Sequence, residues 1–194
     1  MLSPNMWKYI QQLGMDTMMT GPVVEYTSSM VEWLSTKHSR GMKEFNYALD
    51  YKVLDFTLPE NRKLYRIARG EQGVLLVRPY TDDICAHWRF VDVVTARKSS
   101  AKIYEMYQDY KRQKDFIGMD MARKFLEMGF TRARRYANHS SGRKYDSTGK
   151  VRPQEVDWKT NEKAQAAQVF KEVRDKVAYD PVYQQMRKQW RAAE

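Results

Sequence analysis

Leu64-Tyr65-Arg66-Ile67-Ala68-Arg69-Gly70-Glu71-Gln72-Gly73-Val74-Leu75-Leu76-Val77 is the stretch on which the fold class turns. Two apolar runs, Leu64–Ala68 and Val74–Val77, flank Gly70-Glu71-Gln72-Gly73, whose length and composition suit a hairpin loop. Pro59 and Pro79 punctuate the chain before and after it. A little further on, His87-Trp88-Arg89-Phe90 alternates apolar and polar residues and supplies a third candidate strand. Residues 43–93 therefore read as strand-rich.

Working outward toward the C-terminus, the pattern changes to helical spacing. Thr95 can cap a helix running to about Lys114, with Ile103, Tyr107 and Tyr110 on its apolar stripe. A second helix begins near Asp115–Gly118 and runs toward Ala137, with a break at Gly129 as an option. A turn-rich loop spans Asn138 to Pro153. Another helix covers roughly Lys159–Val177, with Ala166, Phe170, Val173 and Val177 in register. A last one starts at Pro181 and buries Val182, Met186 and Trp190. The expected fold is α+β: a small antiparallel sheet packed with several helices, mostly helical in the C-terminal half. Residues 43–194 form a single domain in this reading.

Residues 1–42 differ in character, holding seven of the chain's twelve methionines and little charge. Helices are expected over Met6–Leu13 and Val23–Ser35, the latter after Pro22. Trp7, Met18, Met19 and Trp33 add adaptable apolar surface, so this N-terminal helical extension either packs back on its own domain or serves as a docking segment for protein partners. It shows neither the apolar core of a secretory signal nor the Arg-rich, acid-poor face of a transit peptide. An intracellular site is expected, on the mitochondrial matrix side or in the cytoplasm.

The chain has 194 residues, 42% of them hydrophobic, with 34 Lys plus Arg against 24 Asp plus Glu. That length and hydrophobic content can bury a core and exclude a disordered charged tail. One cysteine, Cys85, excludes an internal disulfide framework and a cysteine-built zinc site. No apolar run is long enough to span a membrane. The net charge is +10, and it is concentrated. Residues 121–152 hold nine basic side chains against Glu127 and Asp146, a net +7. Such a concentration points to a surface that meets an anion.

On a helical wheel, Met119–Asn138 gathers its apolar side chains in one arc, with Tyr136 on that inward arc. Arg123, Lys124, Arg134 and Arg135 gather opposite, facing solvent. Arg132 and the following loop add His139, Arg143, Lys144 and Tyr145, with glycines that let backbone N–H groups approach a phosphate. Arginine outnumbers lysine here, which favours bidentate phosphate contacts and stacking on bases. Arg123, Lys124, Arg132, Arg134, Arg135, His139, Arg143 and Lys144 are the candidate anion- or nucleic-acid-binding set.

The hairpin stretch, His87-Trp88-Arg89-Phe90, Phe116-Ile117-Gly118-Met119-Asp120-Met121-Ala122-Arg123-Lys124-Phe125 and Thr131-Arg132-Ala133-Arg134-Arg135-Tyr136-Ala137-Asn138-His139 resemble the domain-of-unknown-function family 4385. The resemblance covers about residues 43–191 and leaves 1–42 as an addition to that domain. It implies a domain boundary and carries over no catalytic residue.

Catalytic motifs are sparse. No phosphate-binding loop of the Walker type, dinucleotide fingerprint, nucleophile elbow or zinc-protease motif occurs. Cys85 and His87 would share one face of a strand, but two ligands make no metal site. No metal and no cofactor is indicated. Glu71, with Arg69, His87, Arg89 and Arg132, can line a pocket for a phosphorylated substrate, Glu71 acting as base. Three functions stand. One is a non-catalytic basic subunit of a larger assembly that binds RNA or DNA phosphates. Another is an accessory subunit of a mitochondrial complex, for example a respiratory one, without nucleic acid. The third is a small enzyme acting on a phosphorylated metabolite.

Overall fold

The computed structural model describes residues 45–194. The expected docking residues Trp7, Met18, Met19 and Trp33, and the two N-terminal helices, lie outside the described residues. Six helices follow in order: α1 (Pro59–Arg62), α2 (Tyr80–Cys85), α3 (Val93–Arg112), α4 (Phe116–Asn138), α5 (Glu162–Ala178) and α6 (Pro181–Ala193). Among the described residues 55% are helical and none belongs to a strand. One isolated antiparallel bridge joins Tyr145 and Val151.

The α+β expectation is therefore corrected: there is no antiparallel sheet among the described residues, and the reason lies in the opening stretch. Gly70 and Gly73 both take positive φ, +58° and +76°. Three tight turns follow one another, with Gln72 N–H donating to Arg69 O, Val74 to Glu71 O and Leu76 to Gly73 O. The Val74–Val77 run is coiled by these turns and cannot lie alongside its supposed partner. Tyr65–Ala68 lies outside any helix, yet its backbone bonds to side chains of α6. Glu194 accepts from Ile67 N–H at 2.7 Å, Arg191 donates to Ile67 O at 2.9 Å, and Trp190 Nε1 donates to Tyr65 O at 3.3 Å. Ser99 on α3 serves the expected third strand similarly, accepting from Arg89 N–H at 3.0 Å and donating to His87 O at 2.8 Å. Backbone groups that a sheet would pair are paired by helices instead.

Side-chain carboxylates and an amide set the helix starts. Asp92 rather than Thr95 caps α3, accepting from Thr95 N–H at 2.7 Å. Asp115, Asn161 and Asp180 cap α4, α5 and α6. Helix α4 runs unbroken through Gly129, where a β-carbon would sit 2.4 Å from the Phe170 ring. Glycine there admits α5 against α4 and does not end the helix. In α6 the buried anchor is Tyr183, and Val182 is 40% exposed, contrary to the expected register.

Helix α4 is the axis of the domain, touching α2, α3, α5 and α6. Every residue from Phe116 to Ala122 is buried, so its first turns lie inside the core all round. Phe116 stacks on Trp190 at 5.0 Å and Tyr183 at 6.0 Å, fixing α6 against it.

Candidate functional site

The cationic candidates divide into two groups along α4. In the first, Asp120 sits fully buried. Its Oδ1 accepts from Tyr183 Oη at 2.6 Å and Arg123 Nε at 3.0 Å, and its Oδ2 accepts from Tyr65 Oη. Lys124 is 0% exposed; its Nζ lies 3.8 Å from Asp120 Oδ2, donates to Gln72 O at 3.1 Å and sits 5.2 Å over the Tyr65 ring. Burial alone would raise the Asp120 carboxyl, but Arg123 and Lys124 beside it hold it well below the usual range. Burial pushes Lys124 down to about 8, against the pull of Asp120. Arg123 and Lys124 are thereby corrected: both are drawn into the core by a carboxylate, and neither forms part of an outward face.

The second group lies at the other end of the helix. Arg132 is half-buried and Arg135 exposed, and neither side chain has a hydrogen-bond or ion-pair partner among the described residues. Arg134 lies 5.2 Å over the Trp158 ring and donates to Trp158 O at 3.2 Å and Asn138 Oδ1 at 3.0 Å. It fastens the loop to the helix. His139 is only 5% exposed, its Nδ1 lying 3.1 Å from Pro153 O, so it too leaves the outward set and closes the loop base.

The loop itself is shaped by its acids. Asp146 accepts from the N–H groups of Thr148 and Lys150 at 2.9 and 3.0 Å, and Glu155 accepts from Ser140 N–H at 2.9 Å. These carboxylates bind backbone, and neither forms an ion pair with a neighbouring cation among the described residues. Arg143, Lys144 and Lys150 are exposed, while Arg152 Nε donates to Tyr145 O at 3.3 Å. Between Arg132 and Lys159 there are eight basic side chains, and none of them forms an ion pair among the described residues. Tyr136 is 39% exposed, on the surface rather than on the inward arc where the wheel put it.

The model of a family described as domain of unknown function (DUF4385) matches residues 46–193. The chain belongs to this family. The matched span of the DUF4385 domain takes in all six helices, the buried Asp120 centre and the cationic loop. Residues 1–44 lie outside it. No curated protein and no solved structure matches the chain.

Of the enzyme candidates, Glu71, Arg69, His87, Arg89 and Arg132 share no hydrogen bond or ion pair with one another among the described residues. Glu71 Oε2 accepts from Thr131 Oγ1 at 2.7 Å and so is tied to α4. Cys85 ends α2 and His87 follows in a turn, so they share no strand face. Among the described residues no three His, Cys, Asp or Glu side chains cluster as metal ligands, and no helix is long and apolar enough to cross a membrane.

The Asp120 centre escaped the sequence reading, although Asp120, Arg123 and Lys124 stand at the i, i+3 and i, i+4 spacings of helical ion pairs. That spacing was the available signal. Tyr65 and Tyr183, which complete the centre, come from 55 and 63 residues away and leave no local trace.

Proposed function

We propose that this DUF4385 protein is a non-catalytic binding subunit that contacts RNA or DNA phosphates. The face used is the C-terminal end of α4 with the loop that follows. The observation that carries this reading is the run of basic side chains from Arg132 to Lys159 without a single ion pair among the described residues. At the start of the same helix, by contrast, Arg123 and Lys124 are matched by Asp120. Leaving a fixed cluster of guanidinium and ammonium groups unmatched favours association with a polyanion. Arg132, Arg135, Arg143, Lys144 and Lys150 supply the contacts, and Arg134 and His139 hold the loop that presents three of them.

Purification at low salt, with an absorbance ratio taken before and after nuclease treatment, tests this. Nuclease-sensitive material is expected to co-purify. With a labelled oligonucleotide, affinity is expected to fall steeply between roughly 50 and 200 mM salt. A flat salt dependence overturns the reading.

A further inference from the structure

A groove opens beside the cationic face, between the turn after α2 and the end of α4. It has a volume of about 500 Å³ and is lined by Trp88, Arg89, Phe90, Val91, Tyr136 and Lys163, with Cys85 at its base. Its walls are aromatic: the Trp88 and Phe90 rings lie 4.9 Å apart, and those of Phe90 and Tyr136 5.9 Å apart. Val91 is exposed. No carboxylate lines it.

The rim carries two cations, Arg89 and Lys163. Arg89 donates to the carbonyls of Cys85 at 3.1 Å and Trp88 at 2.7 Å, and Lys163 donates to Val91 O. Carbonyls hold both cations in place; besides Thr95, Lys163 also helps to hold the Asp92 carboxyl below its usual range, while Arg89 forms no ion pair among the described residues. Arg132 stands one turn before Tyr136 on the same side of α4, so the proposed phosphate-binding face reaches the groove's edge.

Resting on the nucleic-acid reading above, we infer that this groove receives an unpaired nucleobase, which makes the ligand a single strand. An aromatic slot with cations on its rim suits a flat ring tethered to a phosphate. A duplex keeps its base faces inside its own stack and offers the slot nothing. Every base has a π-face, so the slot is tolerant of sequence.

Fluorescence anisotropy with a short labelled oligothymidylate, alone and annealed to oligoadenylate, tests this at fixed low salt. The single strand is expected to bind about tenfold tighter than the duplex. Tyr136→Ala removes that margin, leaves duplex affinity and its salt dependence unchanged, and Tyr136→Phe restores it. Because Tyr136 also packs on Gly142, Val91→Glu provides a second variant. It places a negative charge at an exposed position and lowers single-strand binding without changing thermal unfolding. Equal binding of both forms, or equal losses for both in Tyr136→Ala and Val91→Glu, overturns the groove and leaves the phosphate reading standing. Absence of salt-dependent binding by either oligonucleotide overturns both.

Discussion

At the start of α4, Asp120, Arg123 and Lys124 share one knot; a few turns later, Arg132 and Arg135 carry the same charge with no partner among the described residues. One helix with one amphipathic pattern thus treats its cations in opposite ways. What differs is the surroundings. Tyr183 of α6 and the Tyr65–Gly73 segment close over the first half, so any charge there must be matched or deprotonated. The second half is flanked by a loop whose acids bind backbone, and the cations beside it stay available. Helical periodicity reports which way a side chain points, and packing from distant segments decides whether that direction is water.

Several substitutions can break this contrast or make it sharper. The largest effect is expected for Asp120→Ala, which leaves Arg123 and Lys124 buried without a counter-charge and should cost about 3–5 kcal/mol in a urea titration. A loss below 1 kcal/mol would mean that the knot is solvated and the two ends of α4 are alike. The same centre responds to pH. Lys124 is depressed from 10.5 to about 8, so above pH 8 the unfolded chain binds a proton that the folded chain has released. Stability is expected to rise with pH from about 8 until tyrosine ionisation near 10 reverses the trend, because Tyr65 is raised on folding. Lys124→Met should flatten that rise.

Gly129→Ala places a methyl group against the Phe170 ring; overpacking outweighs the gain in helix preference, for a net loss of about 1–2 kcal/mol by thermal unfolding. Arg134→Ala removes the stack on Trp158 and should cost about 1 kcal/mol while raising hydrogen exchange in residues 139–158. Arg135→Glu is the smallest in stability, within about 0.5 kcal/mol of wild type. It is nonetheless expected to weaken oligonucleotide binding. A large stability loss there would show that the outer end of α4 is also structural.

The helices were legible in the sequence because periodicity, caps and proline positions agreed locally. Helices α3 to α6 fall close to their expected ranges, and Pro181 and Asp115 mark their starts as read. The sheet was misread because apolar runs around glycines signal burial as much as strand. Tyr65, Ile67, Val74 and Val77 are indeed buried, against helices rather than in a ladder. Of the candidate anion-binding residues, Arg132, Arg135, Arg143 and Lys144 keep their outward role in the proposed interface. Arg123 and Lys124 were lost to Asp120, whose helical spacing was legible, together with Tyr183 and Gln72, which no local pattern encodes; His139 was lost to Pro153 across the loop.

The backbone of Ile67 finds its partners on residues 191 and 194, up to 127 positions along the chain. At ordinary rates of translation that gap amounts to roughly 6–25 s during which this apolar segment has emerged from the ribosome and its clasp has not. The unclasped polar backbone beside Tyr65 and Ile67 is open to any passing extended chain over that interval. Locking of the domain therefore waits for residues 190–194 to emerge, and that interval is a natural point at which a chaperone would act.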